Sequence, residues 1–247
     1  MTLTSLRPFD RIVSYNHKVI DTNVRPNTRP RLLDLFCKAG GASVGYNRAG
    51  FDVVGVDINR QRRYPFEFIQ ADALDVLSDM DFLRSFDVIT ASPPCQTHSR
   101  TKHLRVAQGK STDKVDLIPQ TRSALIESGR PYVIENVPGA PLIDPIQMCG
   151  SSFGLKVRRH RLFESNMPLV SSVCDHHGQG RPVGIYGSMR DEIPKGGKTA
   201  DSIEQARDAM GVDWMIWSEL VEAIPPAFTE AIGHQLMVAL VVTQRAA

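Results

Sequence analysis

The stretch "RLLDLFCKAGGASVGY", Arg31 to Tyr46, joins a short apolar run to a glycine turn and then to a run of small residues. This order predicts a β-strand, a tight turn and a helix. Gly40 and Gly41 allow close approach of the backbone to a ligand, and the N-terminus of the helix supplies free N–H groups. Because the turn is neither G-x-G-x-x-G nor a Walker A loop, a dinucleotide or nucleoside triphosphate is disfavoured.

Four more apolar runs follow the same pattern. They are "FDVVGVDI" at 51–58, "FEFIQADAL" at 66–74, "FDVITASPP" at 86–94 and "YVIENV" at 132–137. A helical pattern at 116–129 separates the last two. Continuous apolar strands alternating with helices predict an α/β fold with a parallel sheet covered on both faces. Ligands of such sheets bind at the carboxyl ends of the strands, which is where Asp57 and Cys95 fall.

Composition excludes several classes of protein. The chain has 247 residues, of which 42% are apolar and 23% charged, which is ordinary for one globular domain and argues against a disordered or collagen-like chain. The N-terminal residues contain no signal-like apolar core, and no run is long enough for a membrane span, so we expect a cytoplasmic protein. The four cysteines include no C-x-x-C and are expected to be reduced. With a net charge of only +2, a nucleic-acid partner would need locally concentrated basic residues.

Cys95 stands directly behind Pro93 and Pro94 at the end of a predicted strand. Taken alone, it could be a buried packing residue, a metal ligand or a nucleophile held on a stiff turn. All three interpretations are compatible with the position of Cys95 in the sequence.

These motifs resemble those of the DNA cytosine-C5 methyltransferase family. The resemblance rests on "DLFCKAGGASVGYNRAGFDVVGVDI", "SPPCQ", "ENV" and "RRHRLF" in this order, over roughly residues 31–165, with a weaker continuation to about residue 242. It implies a Rossmann-like, mostly parallel seven-stranded sheet and S-adenosylmethionine as cofactor. Asp57 would bind the ribose, and Asp72 would lie on the adenine side. The cofactor-binding residues that the resemblance implies are Phe36, Cys37, Gly40, Gly41, Asp57, Ile58, Asp72, Ala73, Pro93 and His234.

The resemblance also implies the catalytic residues. Cys95 would add to C6 of a flipped cytosine and so make C5 nucleophilic. Glu135 would contact N3 and the exocyclic amine, which requires a raised pKa if it is to donate. Arg159 and Arg161 match the arginines of the family's Q-x-R-x-R motif, but Val157 occupies the glutamine position.

The segment after Cys95 carries the local positive charge. In the family it is the mobile catalytic loop, and basic residues there suit phosphate contacts with double-stranded DNA. The predicted nucleic-acid-binding residues are Gln96, Ser99, Arg100, Lys102, Arg105 and Lys110.

The chain divides into four predicted regions. They are an N-terminal arm (1–30), a catalytic and cofactor-binding core (31–165), a reduced target-recognition region (166–203) and C-terminal helices that return to the cofactor pocket (204–247). The family's glycine–asparagine pair corresponds to Gly233–His234, with the Pro-Pro pair before it rather than after it. Because the family's asparagine lies near the methionine end of the cofactor, a histidine there is compatible with a modified, more acidic cofactor analogue.

The motifs are also compatible with two different functions. An enzyme that carries out the same chemistry on RNA such as transfer RNA would share them, and so would a catalytically silent DNA-binding relative. We expect a monomer, encoded by a bacterium or a phage, and a cognate restriction endonuclease is a candidate partner.

The sequence favours no metal site. Cys174, His176 and His177 in "CDHH" suggest zinc, but a closed site needs four ligands and no second pair is evident. Cys37 and Cys149 are interpreted as packing residues. His160 alternates away from the two site arginines on a strand, so we do not place it in the site.

Overall fold

A computed structural model describes residues 29–94, 115–187 and 198–246. The strands of the main sheet are β1 (Arg31–Leu35), β2 (Asp52–Asp57), β3 (Glu67–Gln70), β4 (Val88–Ala91), β5 (Tyr132–Asn136), β6 (Ile146–Met148) and β7 (Arg161–Ser165). The helices are α1 (Gly41–Arg48), α2 (Ala73–Leu77), α3 (Met80–Arg84), α4 (Ile118–Ser128), α5 (His176–Gln179), α6 (Ile203–Met210), α7 (Trp217–Glu222) and α8 (Pro226–Ala246). A short two-stranded sheet pairs β8 (Val183–Gly184) with β9 (Lys198–Thr199).

The main sheet has seven strands in the order β3-β2-β1-β4-β5-β7-β6. The strands β1 to β5 are parallel, whereas β7 runs antiparallel to both β5 and β6. The strand order reverses between β1 and β4, and such a switch point opens a crevice at the carboxyl edge. The predicted mostly parallel seven-stranded sheet is therefore confirmed, and its crevice lies where the first turn follows β1.

Burial on both faces explains why these strands read as continuous apolar runs. All residues of β4 and β5 are buried, as are four of the five in β1 and five of the six in β2. One apolar cluster lies between the sheet and the helices α2, α3 and α4, and a second lies between the sheet and the helices α1 and α8. A parallel strand that is buried on both faces favours apolar side chains on both, so the alternation typical of half-exposed strands is missing.

Two glycines of α1 allow α8 to pack closely against it. A Cβ atom on Gly45 would lie 2.0 Å from Thr229 Oγ1, and one on Gly41 would lie 2.4 Å from the carbonyl oxygen of Ile224. The Thr229 hydroxyl donates to the carbonyl of Ala42 at 2.8 Å. This contact places the N-terminus of α8, and the segment before it, at the crevice.

Within the described residues, no helix has the length and apolarity that crossing a membrane would require.

Candidate active site

The first turn adopts an unusual backbone conformation. Three of its residues have left-handed backbone angles, namely Phe36 (φ 61°), Lys38 (φ 49°) and Gly40 (φ 82°). Two of the three carry a side chain, and such strained positions persist where the surrounding structure enforces them, often at ligand sites. A Cβ atom at Gly40 would approach Pro65 Cδ to 2.9 Å, so glycine is required there for steric reasons as well. Alternating left-handed residues turn successive N–H groups toward a concave surface suited to polar ligands.

Asp57 connects this turn to the end of β2. Its buried carboxylate accepts hydrogen bonds from the backbone N–H of Lys38 at 3.2 Å and of Asn59 at 2.9 Å. The next side chain, Ile58, is 60% exposed although it is large and apolar. An acceptor beside an open apolar side chain matches the two halves of a nucleoside, because hydroxyl groups need acceptors and a base needs an apolar face.

The other predicted cofactor residues have structural roles in the described contacts. Asp72 caps α2 by accepting from the N–H of Leu74 at 2.9 Å, and Ala73 is buried in the core. Cys37 is also buried, and burial raises the pKa of its thiol, so the side chain is an inert packing group. Gly41 packs against the carbonyl of Ile224 in the C-terminal segment.

Glu135 and Arg161 form a buried ion pair at the carboxyl edge of the sheet. Arg161 Nε lies 3.0 Å from Glu135 Oε1, because β7 runs antiparallel beside β5 and brings its first residue to the end of that strand. Burial raises the pKa of Glu135, whereas Arg161, a hydrogen bond with Ser92 and the charge of Arg159 lower it. A carboxyl group balanced in this way is suited to exchange a proton with a bound base.

Arg159, by contrast, holds the C-terminal segment in place. Its guanidinium donates to the carbonyl oxygens of Leu220 (2.9 Å), Val221 (3.2 Å), Ala223 (2.6 Å) and Ile185 (3.1 Å). The first three lie at the C-terminus of α7, where helix carbonyls lack partners within the helix and favour a cation. Burial lowers the pKa of Arg159 to about 9, so it remains charged at neutral pH. The structure therefore gives Arg159 a positioning role through α7, and its charge reaches Glu135 electrostatically.

Asn136 joins the end of β5 to the Pro-Pro segment. Its side-chain N–H group donates to the carbonyl of Pro93 at 3.0 Å, and its oxygen accepts from the N–H of Val137 at 2.9 Å. Both Asn136 and Pro93 are buried. The predicted nucleophile Cys95 and the predicted DNA contacts lie outside the described residues; those contacts are Gln96, Ser99, Arg100, Lys102, Arg105 and Lys110.

The structure corrects the prediction for His234. This residue is exposed on α8, and the neighbouring Gly233 packs against Ala49 at the far end of α1. Because α8 runs from the crevice toward the opposite edge of the sheet, His234 lies away from the first turn. Glu222 lies there instead, with its carboxylate 3.4 Å from Lys38 Nζ. A modified cofactor analogue therefore loses its structural basis, which was a histidine at the pocket.

Asp34 is a site residue that the sequence motifs did not single out. It accepts hydrogen bonds from the hydroxyls of Ser43 at 2.5 Å and Thr90 at 3.2 Å, and burial raises its pKa from 3.8 to about 7. With Ser92 and Glu135 it borders a cavity of about 10 Å³, roughly the room that one water molecule needs. The first motif contains Asp34, but an acid inside a buried strand is visible only as a break in its apolar run.

Asp34→Asn should remove a pH dependence of stability. Because the folded pKa of about 7 exceeds the ordinary 3.8, the folded protein holds a proton that the unfolded chain has released between these values. The free energy of unfolding should therefore fall as the pH rises from about 4 to about 7, by at most about 4 kcal/mol.

Urea unfolding at several pH values in this range would measure the slope of the free energy of unfolding against pH. In the Asn variant it should largely vanish, because an amide presents the same acceptor to Ser43 without titrating. Asp52→Asn, a change at an exposed aspartate of β2, is the control and should keep the slope. The same slope in the wild type and in Asp34→Asn would contradict the raised pKa of Asp34.

The mostly parallel seven-stranded sheet, with helices on both faces and a crevice at its switch point, is the fold of solved methyltransferase structures. Residues 30–142 match the family model of the C-5 cytosine-specific DNA methylases. This match covers a little under half of the chain and includes the first turn, β1 to β5 and the segment around Cys95.

Other methyltransferases resemble parts of this chain or its fold. The type II methyltransferase M.FnuDI of Fusobacterium nucleatum is 32% identical over 82 residues, which are 30% of this chain and 23% of that protein. The match thus spans less than a quarter of that relative. Among solved structures, the Dnmt2 methyltransferase of S. pombe has a TM-score of 0.53 at 14% identity and covers 87% of this chain and 99% of its own. The methyltransferase EhMeth of Entamoeba histolytica has a TM-score of 0.54 at 14% identity, covering 88% and 99%. At these identities the structures show a shared fold.

Proposed function

We propose that this protein transfers a methyl group from S-adenosylmethionine to C5 of cytosine in DNA. The observation that supports this most is the Glu135–Arg161 pair at the end of β5. It lies beside the Pro93 carbonyl that Asn136 holds, two residues before Cys95. A carboxyl group and a cation, together with the thiol of Cys95, are the groups that covalent activation of cytosine requires.

The crevice at the first turn fits the cofactor. The left-handed turn from Phe36 to Gly40 would cradle its polar methionine end, Asp57 would accept from the ribose hydroxyls, and Ile58 would cover the adenine. When bound, S-adenosylmethionine supplies the electrophilic methyl group. The Lys38–Glu222 ion pair and the hydrogen bonds from Arg159 keep the C-terminal segment against this turn.

Cys95 supplies the nucleophile. Its thiolate forms a bond to C6 of the cytosine, and the electron pair of the C5–C6 double bond becomes available at C5 for the methyl group. Loss of the C5 proton to a base then expels the Cys95 thiolate and restores the double bond, so the thiolate is regenerated and the methyl group replaces one proton. C6 is inaccessible within a duplex, so the target base must be flipped out.

Glu135 and Arg161 would hold the base during this addition. The Glu135 carboxyl donates to N3 and accepts from the exocyclic amine, which draws electrons from C6 and favours attack there. Arg161 approaches the cytosine carbonyl while it orients Glu135 through their ion pair. The burial that raises the pKa of Glu135 helps it to carry the proton for N3.

DNA remains the proposed substrate, with the basic segment from Gln96 to Lys110 on its phosphates. The short region 166–203 would read a short or relaxed target site. Monomeric function and a cognate restriction endonuclease remain predictions.

Incubation of the purified chain with duplex DNA and methyl-labelled S-adenosylmethionine tests the proposal. Nucleoside mass spectrometry should find 5-methyl-2′-deoxycytidine, and methylation sequencing of cells expressing the protein should give its sequence context. A parallel reaction with transfer RNA distinguishes the substrates, because label in RNA alone would overturn the DNA proposal. A modified cytosine bearing another group would overturn plain methyl transfer, and no modification of either substrate would contradict the activity.

A further inference from the structure

Four side chains far apart in the sequence meet beside the site arginines. They are Cys149, His160, Cys174 and His176, and their ligand atoms all lie within 4.8 Å of one another. Cys149 is buried and the other three are half-buried. His177, which the sequence placed in the same group, is exposed and outside the cluster. The tertiary structure thus brings together the second ligand pair that is not evident in the sequence.

The separations match those of ligands around one tetrahedral ion. The two Nε2 atoms of His160 and His176 are 3.2 Å apart, Cys149 Sγ lies 3.3 Å from His176 Nε2, and Cys174 Sγ lies 3.5 Å from His160 Nε2. Zinc bonds of about 2.3 Å to sulfur and about 2.0–2.1 Å to nitrogen put tetrahedral ligands about 3.3 Å apart for two nitrogens and about 3.5 Å for nitrogen and sulfur. All other pairs lie within 4.8 Å, so each needs to close by about 1 Å at most.

Three separate parts of the fold bring these ligands together. Cys149 directly follows β6, His160 directly precedes β7, and Cys174 and His176 come from the irregular segment after β7 and the start of α5. Since β6 and β7 pair with Met148 opposite Arg161, the residues just beyond this pair are neighbours. The alternation that turns His160 away from the site arginines is what turns it toward the two cysteines.

Polar groups adjoin the Cys149 sulfur. The Ser151 hydroxyl lies 3.1 Å from Cys149 Sγ and accepts the backbone N–H of Asp175 at 3.0 Å, so it links this ligand to the segment that carries Cys174 and His176. Such outer hydrogen bonds orient metal ligands in known sites. The Sγ atom also lies 3.2 Å from the carbonyl of Arg158, and metal binding would displace the thiol proton that this contact uses.

We propose that Cys149, His160, Cys174 and His176 bind a structural zinc ion. Two thiolates and two imidazoles in a tetrahedral arrangement are typical of zinc, and four protein ligands leave no open position for a substrate. The ion ties residues 174–176 to the ends of β6 and β7. Because His160 stands between Arg159 and Arg161, the same ion fixes the backbone that carries both arginines.

Metal analysis of the full-length protein, with any affinity tag removed, tests this directly. Inductively coupled plasma mass spectrometry should find about one zinc ion per chain in the wild type and less than about a tenth of that in His176→Ala. His177→Ala is the matched control, because it removes the adjacent histidine outside the cluster, and it should retain the zinc. Equal loss from the two variants, or a wild type without zinc, would overturn the proposal.

Cobalt substitution keeps the test decisive if His176→Ala fails to fold. Wild-type protein stripped with a chelator and titrated with cobalt(II) should develop the intense visible bands of a tetrahedral thiolate site, saturating at about one equivalent. Cys174→Ser should weaken these bands, and zinc should displace the cobalt. The weak spectrum of octahedral cobalt in the wild type would contradict the site. Neither readout depends on methyl transfer, so the outcome is independent of the proposed function.

Discussion

Cys95→Ala is expected to abolish covalent capture of DNA that contains 5-fluorocytosine. With the wild type and S-adenosylmethionine, the thiolate adds to C6 and the methyl group is transferred. The reaction then stops, because fluorine at C5 cannot leave as a proton does. Denaturing gel electrophoresis should therefore show a protein–DNA adduct that is lost in the variant. Methylation of ordinary cytosine should fall by about 10⁴-fold or more, which is the scale of losing a covalent nucleophile.

Two controls separate chemistry from folding in this experiment. Cys95→Ala should keep the wild-type unfolding transition and its affinity for S-adenosylmethionine, because the variant leaves the proposed cofactor residues of the first turn and β2 unchanged. DNA with unmodified cytosine should give no stable adduct with the wild type. An adduct that persists in the variant would exclude Cys95 as the nucleophile, and its absence in the wild type would contradict the covalent mechanism.

Glu135→Gln should lower the rate of methyl transfer by about 10²–10⁴-fold. Glutamine keeps the size of the side chain but cannot give a proton to N3, so addition of Cys95 to C6 loses its assistance. The variant also leaves Arg161 without its buried carboxylate. Single-turnover methylation would measure the chemical step apart from binding and product release. A variant with the wild-type single-turnover rate would remove Glu135 from the mechanism.

Glu164→Gln is a matched comparison on the neighbouring strand. Glu164 pairs with Arg122 through two contacts of 2.7 Å and accepts the N–H of Ile143 at 2.8 Å, so it too is a buried glutamate held by an arginine. Breaking this pair should cost about 3 kcal/mol of stability. The rate per folded molecule should stay near that of the wild type. Equal losses of rate in the two variants would mean that Glu135 acts only by supporting the fold.

Local patterns were sufficient for the fold and for part of the site. The continuous apolar runs that end at Leu35, Asp57 and Asn136 predict buried parallel strands, because both faces of such strands must be apolar. Parallel strands align their carboxyl ends, so residues at those ends converge without knowledge of the packing. For this reason the placement of Asp57 and Glu135 at one edge followed from the sequence.

Other residues could not be placed in this way. The prediction for His234 was wrong because the direction of α8 depends on how it packs against the glycines of α1, which helical periodicity does not reveal. Asp34 was missed because its raised pKa comes from complete burial in β1, which lies between β2 and β4. The sequence motif predicts that Arg159 lies in the site with Arg161. In the structure it has a left-handed backbone angle, and its guanidinium contacts α7 instead.

Hydrophobic patterns and short motifs were enough to define the five parallel strands, the edge of the sheet where the site lies, and the family that residues 30–142 match. Each of these features involves residues that are close together in the chain, so it can be interpreted without knowledge of the packing. The packing of the chain, in contrast, pairs Arg161 with Glu135, carries His234 away on α8, and brings two cysteines and two histidines together. Such contacts join residues that are distant in the chain. Whether these residues meet depends on how the antiparallel β6–β7 pair, the segment after it and α8 pack.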